Sequence, residues 1–406
     1  MESRRLRRLV SRVVRAAVVA ATAALVVQWT FRISVDETTF GRDPLDIDAH
    51  SSVPLPNVTV WELVRDDRRV SKFVDIVSQF GAIVGGLKAP QASFTLFVPT
   101  NEAFDKDDFA WDLPSFYWLY LVGYHMVRGA FSQRDLASHV TTVPSFVWAD
   151  IFETYRQRIS TQRLDRGRGL SLNHRARPVS PDRAAVNGYV HLIDRVLMMP
   201  ESTSDLLRDD PQLSTLRRAL IQTDVAVIVN DTSTHLGQTV FAPSNSAFNK
   251  LGAKANEFLF SPYGREYLTA LLRYHIVANR TMFTDVLFPH NGEALVPLEV
   301  GSKIDLPTLL PTHNLSVTID RDGSRLSPKI NGAVQIGQPD IIVMDGVIQK
   351  IDTVLLPPLR SHPDKGELGP PWSWINALQE ALLGPSGLPV GELKKRLEPL
   401  VDGYDL

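Results

Sequence analysis

Thr95-Leu-Phe-Val-Pro-Thr-Asn-Glu-Ala-Phe104 is written a second time in this chain, as Thr239-Val-Phe-Ala-Pro-Ser-Asn-Ser-Ala-Phe248. The echo extends in both directions. Leu63-Val-Arg-Asp-Asp67 returns as Leu206-Leu-Arg-Asp-Asp210 at an offset of 143, the decapeptide at 144, and Tyr124-His125 as Tyr274-His275 at 150. Asn187-Gly-Tyr-Val-His-Leu-Ile-Asp-Arg-Val-Leu197 pairs with Asp345-Gly-Val-Ile-Gln-Lys-Ile-Asp-Thr-Val-Leu355 at 158. A fixed order with a slowly drifting offset is what loop insertions in two copies of one domain produce. Copies this long are no solenoid units, so the sequence implies two domains in tandem, over 58–200 and 201–358.

The elements follow from the same residues. Thr95–Val98 and Thr239–Ala242 are β-leaning runs stopped by Pro99 and Pro243. Thr100-Asn101 and Ser244-Asn245 then turn the chain into a short helix carrying Ala103-Phe104 or Ala247-Phe248. Ser71 is a candidate cap for a helix whose Phe73, Ile76, Val77 and Phe80 share one face. Trp118, Leu121 and Val122, matched by Leu268, Leu271 and Leu272, predict a helix leading into each Tyr-His pair. Asn187-Gly188 and Asp345-Gly346 read as turns opening a closing strand. Helices first and strands last in each copy predict an α+β fold.

Composition narrows the function. With 44% apolar and 22% charged residues the chain is globular, and its 406 residues suffice for two separate cores. Six arginines fall in residues 1–31, and removing that segment leaves 37 basic against 44 acidic residues. A mildly acidic body argues against nucleic acid as partner. The absence of cysteine excludes disulfides, thiol nucleophiles and cysteine-ligated metals. No metal-ligand spacing, phosphate-binding glycine loop or nucleophile elbow occurs, so no cofactor or metal is expected. Asp66-Asp67 and Asp209-Asp210 read as caps or turn residues in preference to an acid–base pair.

Arg4, Arg5, Arg7, Arg8, Arg12 and Arg15 precede a charge-free run from Ala16 to Phe31. A basic flank before an apolar run is the form of a signal peptide or signal anchor, here expected as an uncleaved helix with the following chain lumenal or outside. Residues 32–57, with three prolines, read as a stalk. Four sequons, at Asn57, Asn230, Asn279 and Asn314, are candidate glycosylation sites on that side of the membrane. Arg156, Arg158, Arg163, Arg166, Arg168, Arg175 and Arg177 lie in a stretch of little apolar patterning, read as a solvated loop. In the tail, 359–406, Ile375, Leu378 and Leu382, and then Leu393, Leu397 and Leu400, form two short amphipathic segments expected to pack on the second copy.

The decapeptides, the Tyr-His pairs and the closing strands together resemble the fasciclin-like (FAS1) domain. The resemblance implies a β-wedge or sandwich with helices packed at one side. It also implies an extracellular or lumenal, often glycosylated and membrane-attached protein contacting protein or glycan ligands on a cell surface, matrix or wall. The second copy is the closer match, keeping Asn331-Gly-Ala333 and Pro339-Asp-Ile341, whereas the first has Pro181-Asp-Arg183. In some animal relatives the Tyr-His region and an Asp-Ile pair are implicated in integrin binding. By that resemblance Tyr274, His275, Pro339, Asp340 and Ile341, with Tyr124 and His125, are candidate ligand-binding residues. The alternative reading makes each Tyr-His pair a structural tie satisfying buried backbone groups. Three functions stay open: a non-enzymatic adhesion protein, a vacuolar or other lumenal protein serving membrane traffic, and, least favoured, a hydrolase or lyase using Tyr-His.

Overall fold

The computed structural model describes residues 57–106, 111, 113–138, 141–148, 156–164, 169–231, 237–289, 295–323, 325–358 and 387–401. The basic leader, the stalk before Asn57 and the segment around Ile375, Leu378 and Leu382 lie outside them. No helix among the described residues is long and apolar enough to cross a membrane.

The first repeat opens with three short helices, α1 (Val60–Val64), α2 (Ser71–Ser78) and α3 (Gly81–Lys88), before strand β1 (Phe94–Pro99). Helices α4 (Asn101–Lys106) and α5 (Ser115–Tyr124) lead to β2 (Met126–Arg128), α6 (Gln133–Ser138) and β3 (Thr142–Trp148). The repeat continues through β4 (Arg156–Arg163), β5 (Leu170–Leu172), β6 (Arg183–Ala185) and β7 (Gly188–Ile193). Its strands form one sheet in the order β5-β4-β3-β2-β1-β7-β6. The expectation of helices first and strands last is thus corrected, because β1 and β2 come early and stand mid-sheet. All six residues of β1 are buried, and the closing strand β7 lies parallel beside it, Phe94 opposite Gly188 and Pro99 opposite Ile193. Leu96, Val98, Val190 and Leu192 face the helical core, while Phe97 and Ile193 enter a second cluster with Val143, Ile159 and Leu172. A strand covered on both faces reads as a continuous apolar run, as β1 does.

The second repeat runs α7 (Thr203–Asp209), α8 (Ser214–Gln222), α9 (Val225–Asn230), β8 (Gln238–Pro243), α10 (Asn245–Lys250), α11 (Ala253–Leu259) and α12 (Arg265–Tyr274). Strands β9 (Ile276–Ala278), β10 (Thr281–Met282), β11 (Val286–Phe288) and β12 (Val296–Pro297) follow, then β13 (Lys303–Pro307), β14 (Asn314–Asp322), β15 (Arg325–Ile330), β16 (Val334–Val343) and β17 (Gly346–Ile351). The main sheet is ordered β13-β14-β15-β16-β17-β8-β9, and β17 lies parallel to β8 as β7 does to β1. The Leu309 amide donates to the Ile276 carbonyl at 2.8 Å, bringing the end of β13 back to β9 and curling the sheet. Helix α13 (Val390–Val401) packs on the second repeat, its Leu393 and Leu397 fully buried in that repeat's core.

Two glycines are dictated by geometry. Gly188 and Gly346 have φ of 140° and 150°, and a Cβ there would stand 1.7 Å from the Phe94 carbonyl oxygen and 2.1 Å from that of Gln238. No other residue lets the closing strand approach its parallel neighbour so closely. The arginine-rich stretch is corrected in part: residues 156–163 form β4, buried from Gln157 to Thr161, while Arg163, Arg175 and Arg177 are exposed and Arg166 and Arg168 lie outside the described residues. Its polar side chains find partners in the second repeat, a contact that no local periodicity encodes.

Candidate functional site

In each repeat the Tyr-His pair ends the long helix and lies in the interior. His125 Nδ1 donates to the Leu121 carbonyl at 2.8 Å and its Nε2 accepts from the Leu197 amide at 3.0 Å. His275 repeats this with the Leu271 carbonyl at 2.8 Å and the Leu355 amide at 2.9 Å. Each ring therefore ties the last helical turn to the chain just past the closing strand. An Nδ1-H tautomer satisfies both bonds, and burial, opposed by the bond to the carbonyl, lowers both histidines to a pKa of about 4. The tyrosines are equally committed. Tyr124 Oη donates to the Arg158 carbonyl at 2.9 Å and accepts from Asn173 Nδ2 at 2.9 Å. Tyr274 Oη donates to the Asn314 carbonyl at 3.5 Å and accepts from Asn331 Nδ2 at 3.0 Å. Burial pushes Tyr274 up to about 12 and Tyr124 further. With both ring nitrogens of each histidine bonded to backbone, neither pair has a free base to offer a substrate.

Other motif residues act at long range in ways their sequence did not announce. Asn101 Oδ1 accepts from the Lys72 amide at 3.0 Å, and Asn245 Oδ1 from the Thr215 amide at 2.9 Å. The motif asparagine, and not Ser71, thus caps the preceding helix from outside. Thr95 Oγ1 and Thr239 Oγ1 each bridge a carbonyl and an amide at the following corner. Asn187 accepts from the Val60 amide and donates to the Leu87 and Ala89 carbonyls, fastening the opening helices to the closing strand. Its counterpart Asp345 holds Thr203 and Gln238, and burial raises its pKa despite those bonds. Asp67 and Asp210 cap the turns after them and pair with Arg183 and Lys350. The side-chain hydrogen bond from Arg69, helped by its backbone amide and its charge, lowers Asp67 to a pKa of about 2.

Pro339, Asp340 and Ile341 lie where the two repeats meet. The Asp340 carboxylate accepts from the Thr284 amide at 2.9 Å, the Thr284 hydroxyl and Gln349 Nε2 at 2.9 Å. The Asp340 amide, at a left-handed φ of 53°, donates to Gln349 Oε1 at 3.0 Å. Burial and the nearby charge of Asp285 together raise its pKa to about 7. Asp340 is 2% exposed and Ile341 9%. One wall of this junction comes from the first repeat. His174 Nε2 donates to the Pro339 carbonyl at 2.8 Å, and Gln157 Nε2 to the Met344 carbonyl at 3.2 Å. Arg158, 2% exposed, lies over the rings of Phe283 and Phe288 at 5.5 and 5.9 Å and pairs with Asp285 at 3.6 Å. Asp285 also accepts from the Thr142 amide at 3.0 Å. In return Arg325 donates to the Leu136 and Thr161 carbonyls, each at 2.8 Å. The structure therefore brings Pro339, Asp340 and Ile341 to an internal contact, apart from the two Tyr-His pairs.

Asn57, Asn230 and Asn314 are exposed, while Asn279 is half-buried at a left-handed corner with φ of 61°. A surface groove in the second repeat is lined by Ser214, Arg217, Arg218, Phe248, Asn256 and Phe260, with Arg218 stacked 4.8 Å over Phe260. None of the candidate ligand-binding residues lines it. Among the described residues no cluster of three or more histidine, aspartate or glutamate side chains could hold a metal ion.

Comparison with known proteins agrees with this geometry. The sequence profile of the Fasciclin domain matches twice, over residues 68–200 and 211–357. The Aurofusarin biosynthesis cluster protein S of Gibberella zeae is 43% identical over 368 residues, spanning 85% of this chain and 87% of that protein. Human periostin is 28% identical over 282 residues, covering 66% of this chain and 29% of periostin. A solved FAS1 domain pair from the insect cell adhesion molecule Fasciclin I aligns at 19% identity and a TM-score of 0.37, over 71% of this chain and 97% of that one. Two matches of one domain profile, falling on the two repeats that share the Tyr-His tie and the parallel closing strand, make this chain a member of the fasciclin domain family.

Proposed function

We propose that this chain is a non-enzymatic interaction protein whose two fasciclin domains stand on the extracellular or lumenal side of a membrane and contact protein or glycan ligands. One observation carries the reading: the Tyr-His pairs and Asp340, the candidate reactive residues, are consumed internally. All four ring nitrogens of His125 and His275 bond to backbone, and Asp340 is sealed at the junction of the repeats. What remains for function is surface, which suits binding. The basic-apolar leader supports membrane attachment, as signal anchor or cleaved signal peptide. Purified whole chain should bind a wall, matrix or cell-surface fraction of its own organism without consuming ester or glycoside substrates. Absence of binding to every such fraction would overturn the reading. A carboxy-terminal fluorescent fusion divides its two versions, since surface label excludes a vacuolar role and an internal-membrane ring excludes a wall role.

A second reading is favoured by the 43% identity to a biosynthesis cluster protein over 85% of this chain. On it the ligands are enzymes of small-molecule biosynthesis, held together by the two domains. Deleting the gene should then leave a pathway precursor to accumulate while the isolated enzymes stay active. An unchanged product profile counts against it.

A further inference from the structure

The two repeats can be superposed residue by residue around the tyrosine tie, and one position differs in kind. The carbonyl of Arg158 accepts Tyr124 Oη, and the carbonyl of Asn314 accepts Tyr274 Oη. Two residues on, the Ser160 amide donates to Asn173 Oδ1 at 2.9 Å and the Ser316 amide to Asn331 Oδ1 at 3.1 Å. Asn314 therefore stands where Arg158 stands. In the first repeat that position is the buried arginine docked on the second repeat. In the second repeat it is exposed, and it opens the sequon Asn314-Leu315-Ser316.

Nothing in the fold asks for asparagine there. Asparagine is disfavoured in strands, and Asn314 begins β14, where its backbone carbonyl, and not its side chain, accepts the tyrosine bond. Asn279 is the opposite case. It stands at the left-handed corner where the first repeat has Gly129 with φ of 93°, so its backbone conformation accounts for the residue type. The sequon hydroxyls are buried alike, Thr281 at 1% and Ser316 at 5% exposure, but Asn279 itself is half-buried where Asn314 is exposed. A glycan has room to leave the surface at Asn314 and little at Asn279.

We propose that Asn314 is an N-glycosylation site while Asn279 stays bare, so that an N-linked oligosaccharide covers on the second repeat the face by which the first repeat docks. The inference rests on the extracellular or lumenal reading above. The test is peptide mapping of the whole chain secreted from a eukaryotic host, after N-glycosidase treatment in heavy-oxygen water. Trypsin places each sequon on its own peptide: 43–65, 219–250, 274–280 and 304–321. The expected result is label on 304–321 and none on 274–280. Asn314→Gln and Ser316→Ala should each remove one glycan's worth of mobility shift, with the same urea midpoint as the deglycosylated parent. Label on 43–65 or 219–250 with 304–321 unmodified overturns the Asn314 site and leaves the lumenal reading standing. Four unmodified peptides overturn both.

Discussion

His125 and His275 each close two buried backbone bonds with one ring, so their removal costs more than a side chain's packing. Replacing either by alanine orphans a carbonyl and an amide in the interior, at about 1–3 kcal/mol apiece. His275→Ala should therefore lower stability by about 3–5 kcal/mol, read as a drop in the urea midpoint at pH 7. Acidity acts on these residues in opposite senses. Both histidines have an ordinary pKa of 6.5 and a folded value of about 4, so below 6.5 the unfolded chain binds protons that the fold refuses. Their contribution is present above pH 6.5 and is lost as the pH falls towards 4. Asp340 runs the other way, because its folded pKa of about 7 exceeds the ordinary 3.8. It gains a proton in the fold first, so stability rises as the pH falls from 7 towards 4. Asp340→Asn removes that gain, and its urea midpoint should drop more steeply between pH 7 and 5 than the parent's. Equal slopes in the two proteins would show that Asp340 does not titrate in that window.

At the scale of elements, the closing strands depend on one glycine each. Gly188→Ala places a methyl 1.7 Å from a carbonyl oxygen and Gly346→Ala one at 2.1 Å, against backbone that cannot yield without parting the parallel pair. Loss of soluble expression is expected for both, whereas Gly85→Ala, where nothing lies within 4 Å, should express normally. Helix α13 makes a milder test: Leu397→Ala should cost about 2–5 kcal/mol, the usual range for a buried leucine, and a wild-type urea midpoint would show that the helix does not seal the second core. Much of this was legible in sequence. The proline stops, the Gly turns and the apolar face of Phe73, Ile76 and Val77 fall where local pattern put them, although the helix ends at Ser78 and leaves Phe80 outside it. What pattern could not show was partnership at distance. Ser71 looked like the cap because it precedes the helix, yet the cap is Asn101, thirty positions later and brought there by β1. The same blindness turned 156–163 into a loop, since a strand buried by another repeat carries polar residues where a core strand carries apolar ones.

For the whole molecule the decisive contact is the junction, and Arg158 is its centre. Arg158→Ala abandons an ion pair with Asp285, two ring contacts and the bonds to Thr142, and leaves the half-buried Asp285 unpaired near Asp340. Truncating one partner of such a pair costs about 3–5 kcal/mol. The variant should keep both domains folded but uncouple them, giving a larger radius of gyration by small-angle scattering and two separate thermal transitions. A single transition with unchanged dimensions would show that Arg158 is not what couples the repeats, leaving the junction to the bonds of His174, Gln157 and Arg325. Sequence reading named Asp340-Ile341 as a ligand edge and Arg158 as one of many solvated charges. Neither residue carries a local mark of facing the other, and only the fold of both repeats brings them to one place.

A last consequence lies in the parallel pairing of the first and closing strands, Phe94–Pro99 with Gly188–Ile193 and Gln238–Pro243 with Gly346–Ile351. Suppose a protein held at one end is pulled from the other. The opening helices, attached through Asn187 or Asp345, peel away first. The chain then tugs the start of one strand and the finish of its parallel neighbour in opposite directions, so the rungs between them are strained in shear, all together and not one after another. Such a ladder gives way abruptly and at high force, like a zip dragged sideways. By this geometry each repeat resists a steady pull along the chain until the parallel pair shears.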